Sequence, residues 1–168
     1  MLTPENSVAS SQIRCTSCDY EEPEVDDNTK YAVFAQEAAA STSKWIAGLG
    51  YEVADPCPDC MSPMTCDISF KDTPSILTFE YPQKDMRTSH TIVFHTEDGR
   101  VPLYLRGIIY HGQSHFTARI IDPDGSVWYY DGMLGHLCQK EGPLKSFSSE
   151  GLRTCRGKIL VLAIYAQK

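Results

Sequence analysis

Tyr104-Leu-Arg-Gly-Ile-Ile-Tyr-His-Gly-Gln-Ser-His-Phe-Thr-Ala-Arg-Ile-Ile-Asp-Pro-Asp-Gly-Ser-Val-Trp-Tyr-Tyr-Asp131 is the stretch that decides how this chain folds. Its β-branched and aromatic residues come in runs of strand length, separated by turn residues. Residues 101–111 read as one strand, and Gly112-Gln-Ser114 interrupts it. Residues 115–121 read as a second strand. Asp122-Pro-Asp-Gly125 is a hairpin turn, because proline presets φ and glycine tolerates positive φ. Residues 126–131 then return antiparallel.

Working outward, residues 68–70, 75–81 and 90–95 carry the same strand composition, and residues 97–100 form a turn around Gly99. Residues 158–165 are apolar almost throughout, which predicts a central strand buried on both faces. The Ala-rich segment 30–49 can set Phe34, Ala38 and Trp45 on one face, so it reads as a helix or broken helix ended by Gly48 and Gly50. Residues 1–13 are polar and aperiodic, the pattern of a frayed end. The fold class is α+β, strand-rich, built on an antiparallel sheet. A length of 168 residues suits one core with a small satellite.

The net charge of -7 argues against a nucleic-acid binder, which would carry a basic patch. Residues 1–60 hold 11 acidic and 3 basic residues, leaving 11 and 12 for the rest, so the acidity sits in the first part. It is densest from Asp19 to Asp27, either as a solvated loop or as a landing strip for a basic partner. No apolar run is long enough to cross a bilayer, and the first residues lack the basic start and apolar core of a signal peptide. This points to the cytosol or nucleus, where thiols stay reduced.

Seven cysteines cannot all pair within one chain, so metal ligation is the better first reading. Cys15-Thr-Ser-Cys18 and Cys57-Pro-Asp-Cys60 are two C-x-x-C knuckles separated by 38 residues. Each tight knuckle aims two sulfurs at one point, and two knuckles supply the four thiolates of a closed tetrahedral site. Thiolates select zinc or iron–sulfur centres, and a site with no open position is structural. Cys66 stands near enough to substitute as a ligand. Cys138 and Cys155 read as ordinary buried thiols.

His115 opens a strand beside a glycine-containing loop, a good place for a general base. The hairpin returns Asp131 toward it, sixteen positions later. A carboxylate there would fix the imidazole tautomer and stabilise the imidazolium. The same pair also reads as a plain structural hydrogen bond.

These elements together resemble the ubiquitin-specific proteases. The resemblance rests on Cys15/Cys18 and Cys57/Cys60, on Pro74-Ser-Ile-Leu77, on the His box Leu105–Ala118, and on Trp128-Tyr-Tyr-Asp131-Gly, and it covers roughly residues 14–165. The ending Tyr130-Asp131-Gly132 is also similar to viral papain-like proteases. The resemblance implies a partial papain-like cysteine protease fold, with zinc-ribbon "fingers" over about 14–67 and a "palm" over about 68–168. It implies that His115 is the base and Asp131 its orienting partner, with His111, Gly112 and Trp128 contacting substrate. Phe116 and Tyr130 would join Trp128 in walling a tunnel, or pack in a core. Structural Zn2+ is the implied cofactor, and ubiquitin or a ubiquitin-like protein the implied partner. Ser114 stands where the family usually has glycine, and Asp131 follows Trp128 one residue sooner than is common. The family's nucleophilic Cys box belongs upstream of the first knuckle, and fourteen residues precede Cys15. The expectation is therefore a His/Asp half completed by a Cys-bearing segment, or an inactive zinc-stabilised binding module. A plain structural zinc ribbon is the third alternative.

Overall fold

A computed structural model describes residues 9–27, 32–34, 41–47, 50–70, 74–81, 86–96 and 99–168. Its first strands are β1 (Ala9–Cys15), β2 (Val25–Asp27), β3 (Ala32–Phe34), β4 (Gly50–Val53), β5 (Met64–Phe70) and β6 (Ile76–Glu80). They are followed by β7 (Thr91–Thr96), β8 (Gly99–Gly112), β9 (His115–Ile121), β10 (Ser126–Tyr130), β11 (Gln139–Pro143), β12 (Thr154–Cys155) and β13 (Lys158–Ala166). A short helix, α1, spans Thr42–Ala47. The described residues fall into two compact units, one drawn from Met1–Lys30 and Gly48–Pro74, the other from Tyr31–Ala47 and Ser75–Lys168. The division differs from a single cut near residue 67: β5 belongs whole to the first unit, and β3 and α1 belong to the second.

The first unit is a four-stranded antiparallel sheet ordered β2-β1-β5-β4. Pairing of β1 with β5 sets Cys15 opposite Met64, which brings the two ends of the cysteine-bearing loops together. Few side chains are deeply buried in this unit: Ser10, Cys57, Met64, Cys66 and Pro74 among those described.

The second unit is a larger sheet ordered β11-β10-β9-β8-β13-β6-β3, with β7 paired to β8 and β12 to β13. Its pairings are antiparallel except the parallel β3–β6 contact. Strand alternation sends Ile108, Tyr110, Thr117, Arg119, Ile121, Val127 and Tyr129 to a covered inner face. Partners Tyr165↔Leu105 and Ile164↔Gly107 advance β8 by two residues for one of β13, a bulge at Arg106. The bulge switches parity, so Leu105 and Ile108 are both buried. Helix α1 is tied on by the fully buried Thr42, whose Oγ1 accepts from Ser89 N–H at 3.0 Å and bonds Tyr165 Oη at 2.9 Å. A buried hydroxyl is tolerated there because it is satisfied.

The structure corrects several expectations. Ala9–Ile13, read as part of a frayed end, lie in a strand paired with β5 throughout and with β2 over Ala9–Ser11. Among the described residues of the expected 30–49 helix, Thr42–Ala47 are helical and Ala32–Phe34 form a strand; Ala38 and Gly48 lie outside the described residues. Tertiary pairing with β6 overrides the alanine-rich propensity in β3. Strand β13 is central, yet its outward side is only half covered, with Ile159 exposed. Gln113 and Ser114 do not merely interrupt a strand. Both take positive φ, 55° and 57°, and close a two-residue hairpin in which Gly112 pairs with His115.

Candidate active site and metal centre

The first knuckle is shaped by Cys15 N–H donating to Tyr20 O at 2.9 Å. The second is shaped by Met61 N–H donating to Cys57 O and Cys57 N–H donating to Ser62 O, both 2.9 Å, with Met61 at φ 61°. The two are stitched together by Thr16, whose N–H and hydroxyl both donate to Pro63 O, at 3.1 and 2.9 Å. The result places the sulfurs of Cys15, Cys18, Cys57 and Cys60 all within 4.8 Å of one another. The Sγ–Sγ separations include 3.5 Å for Cys15–Cys60, 3.5 Å for Cys18–Cys60 and 3.7 Å for Cys18–Cys57. In a tetrahedral four-thiolate site with bonds of about 2.3 Å, neighbouring sulfurs stand about 3.8 Å apart. The donor set therefore fits one thiophilic metal ion.

Electrostatics agree with that fit. Hydrogen bonds from the Ser62 hydroxyl and backbone N–H draw the Cys60 thiol down to about 6. The Tyr20 backbone N–H pulls Cys18 down, but the neighbouring thiol of Cys60, burial, Cys15 and Cys57 outweigh it, and Cys18 is pushed up to about 12. Four sulfurs this close cannot all ionise without a cation between them. Cys66 is buried on β5 and is not part of the cluster; Cys155 is buried as expected, but Cys138, also expected to be buried, is exposed.

In the second unit, two turns assemble the histidine and the aspartate. The Gln113-Ser114 turn sets the register of β8 on β9, and the Asp122–Gly125 turn sets β9 on β10, with Gly125 at φ 84°. His115 Nε2 then lies 2.6 Å from Asp131 Oδ1. The same oxygen accepts from Met133 N–H at 3.0 Å, capping a 3-10 turn over Gly132–Leu134. Asp131 Oδ2 accepts from the Tyr129 hydroxyl at 3.1 Å. The His115 bond is the largest influence holding the Asp131 carboxyl below its ordinary range, with Met133 N–H and Tyr129 adding to it against burial. The side chains of His115 and Asp131 are 24% and 11% exposed, so the pair sits at a half-open edge. His115 Nδ1 makes no hydrogen bond among the described residues.

The remaining expected site residues are placed differently. His111 pairs with Phe116 across β8–β9 and stacks on it at 4.3 Å, on the face opposite His115. Trp128 and Tyr130 share that opposite face by alternation, and Trp128 Nε1–H donates to Asp122 Oδ2 at 2.8 Å. Gly112 lies directly opposite His115, and a Cβ there would meet Lys158 Cα at 3.3 Å, so its bareness lets β13 pass close. Sequence reasoning missed Tyr129 and the Met133 N–H as partners of Asp131. The two-residue period, which puts Tyr129 and Asp131 on one face, was the available signal.

No protein-family description matches the sequence, and no curated protein does. Solved structures do share the fold. A chain of the SAGA DUB module of Ubp8, Sgf11, Sus1 and Sgf73, bound to monoubiquitin, superposes with a TM-score of 0.63 at 13% identity, over 95% of this chain and 40% of that one. A yeast SAGA DUB module with an Sgf73 variant superposes with a TM-score of 0.67 at 12% identity, again over 95% and 40%. The chain thus spans less than half the length of these neighbours and shares with them its strand-rich architecture.

Proposed function

We propose that this chain is the fingers-and-palm half of a ubiquitin-specific-protease-like deubiquitinase, carrying the base and its orienting carboxylate. The observation that carries the reading is the 2.6 Å His115–Asp131 contact at the start of β9. It occurs in a fold shared with a DUB module. With Asp131 on Nε2, Nδ1 is the ring nitrogen left for a thiol. A Cys-bearing segment, in a longer chain or a partner, would pass its thiol proton to Nδ1. Its thiolate would attack the carbonyl carbon after the Gly-Gly end of ubiquitin or a ubiquitin-like protein. The imidazolium would return the proton to the departing amine as the thioester forms, and a water deprotonated by the same imidazole would release it. His111, Gly112 and Trp128 would serve the substrate from the neighbouring strand end and the reverse face.

Cys15, Cys18, Cys57 and Cys60 would hold structural Zn2+, which when bound fixes the fingers. The exposed carboxylates of Asp19, Glu21 and Glu24 would meet a basic face of the modifier. A cytoplasmic or nuclear setting suits four reduced thiols. No helix among the described residues is long and apolar enough to cross a membrane.

One observation favours a second reading, a binding module without chemistry. Cys155 is buried, and burial raises its thiol pKa, while Cys66 is buried in the other unit. Neither buried environment makes a nucleophile, and the exposed Cys138 precedes strand β11 rather than a helix that would activate its thiol. A ubiquitin-derived electrophilic probe separates the readings. Saturable binding without labelling, turning to labelling when a Cys-box segment is supplied, supports the first. Binding that no added segment converts supports the second. No binding at all sinks both.

A further inference from the structure

We propose that Tyr129, held by Arg156, is a positioning residue that fixes the Asp131 carboxylate and through it the tautomer of His115. The inference rests on reading His115 as the base.

Asp131 follows the last residue of β10, where the sheet no longer constrains it, so its orientation must come from side-chain and turn contacts. Oδ1 is shared by His115 and Met133 N–H. Those two contacts leave the carboxylate able to pivot about Oδ1. The Tyr129 hydroxyl on Oδ2 removes that freedom, because the plane of a carboxylate is set once both oxygens are engaged. Tyr129 is itself immobilised. Its ring is buried on the inner face, and the guanidinium of Arg156 lies 3.7 Å from the ring centroid.

Arg156 reaches that place through an unusual turn. Cys155 pairs with Lys158, so Arg156 and Gly157 form a two-residue hairpin between β12 and β13, at φ 49° and 81°. Glycine accepts such a φ freely and arginine does not. The strained backbone aims the side chain over Tyr129, and the other end of the guanidinium donates to Gln139 Oε1. A chain of contacts thus runs from the β12–β13 turn to the imidazole. The ionisable groups acting along it are Arg156 and Asp131 on Tyr129, and His115 and Tyr129 on Asp131. A carboxylate so held accepts from Nε2–H and leaves Nδ1 as the free lone pair.

Nitrogen NMR of the His115 ring reads the tautomer directly and needs no activity. The intact chain is expected to show neutral His115 protonated on Nε2. Tyr129→Phe, which keeps the buried ring, is expected to shift the tautomer ratio toward Nδ1–H by about tenfold, the size of one hydrogen bond to a charged group. Arg156→Gln, at an exposed turn, is expected to shift it the same way by less, and would decide the matter if Tyr129→Phe did not fold. Asp131→Asn is the reference. If Asp131→Asn erodes the Nε2–H tautomer but Tyr129→Phe and Arg156→Gln do not, the clamp is overturned and the His–Asp pair stands. If Asp131→Asn also changes nothing, the pair itself fails. A loss of melting temperature with the tautomer unchanged would mark Tyr129 as a packing residue only and overturn the proposal.

Discussion

Removing a metal held by the four clustered cysteines should unfold the first unit and spare the second. The reasoning starts from what each unit buries. Among the described residues of the first unit, the buried apolar side chains are Cys57, Met64, Cys66 and Pro74. A fully buried methionine contributes about 1.5–3 kcal/mol, and two cysteines add less than a leucine each. A four-thiolate zinc contributes about 10–16 kcal/mol in small modules, so such an ion held by the four cysteines would dominate the first sheet. The second unit has its own core of Leu77, Phe79, Ile92, Leu103, Leu105, Ile108, Tyr110, Val127 and Leu152.

The assay is hydrogen exchange with and without a strong chelator under reducing conditions, with released metal measured in parallel. Amides of β1, β4 and β5 should lose protection, while those of β8, β9 and β13 keep it. Cys57→Ser should reproduce the loss without chelator, since its side chain is fully buried at the cluster. Protection in β1 and β5 that survives proven metal release would refute the argument, and so would a metal content of zero in the native protein.

Replacing His115 by alanine should leave metal content unchanged and move stability by no more than about 1 kcal/mol, because the ring is half-open and bonds mainly to Asp131; a larger loss in denaturant would favour a packing role. Arg119 is buried and donates to Glu141 at 2.7 Å, Tyr110 Oη at 3.0 Å and Gly151 O at 3.1 Å. Arg119→Ala should therefore cost about 3 kcal/mol, seen as a urea midpoint lower by about 1.5 M, whereas Arg119→Met with Glu141→Leu should fall near the parent. The folded-state pKa of Asp131 is lowered, so its contribution to stability is fully present above the unfolded value of about 3.9 and is lost as pH falls through the folded one. Carboxyl NMR should find its midpoint below that of an ordinary aspartate, and a raised midpoint would contradict the His115 bond.

The sheet was legible where turn chemistry and alternation agree. Asp122-Pro-Asp-Gly125 and the β-branched runs around it specify β9 and β10 from local rules alone, and the two cysteine knuckles specify their own convergence. What stayed hidden depends on partners distant in sequence. The conversion of Ala32–Phe34 to a strand needs β6, and the parity switch at Arg106 needs β13. Half of the candidate site was readable as His115 and Asp131. The placement of His111 and Trp128 on the reverse face required the register, which a list of motif residues does not contain.

That register makes the His–Asp contact a property of turns as much as of the two residues. A slip of one residue in the β9–β10 hairpin would turn one of the two side chains to the other face and open the pair, whereas a slip between β8 and β9 would carry both away from the face they share with Gly112. The β8–β9 turn holds Gln113 and Ser114 in left-handed conformations, which cost about 1–2 kcal/mol for residues other than glycine, asparagine and aspartate. Gln113→Asn with Ser114→Gly supplies the residues such a turn prefers. The double variant should raise stability by about 1 kcal/mol and leave the His115 tautomer untouched, because strain is relieved while Gly112 still faces His115. If it lowered the melting temperature or scrambled the tautomer, the turn would not be what sets the register, and the assembly of the pair would need another cause.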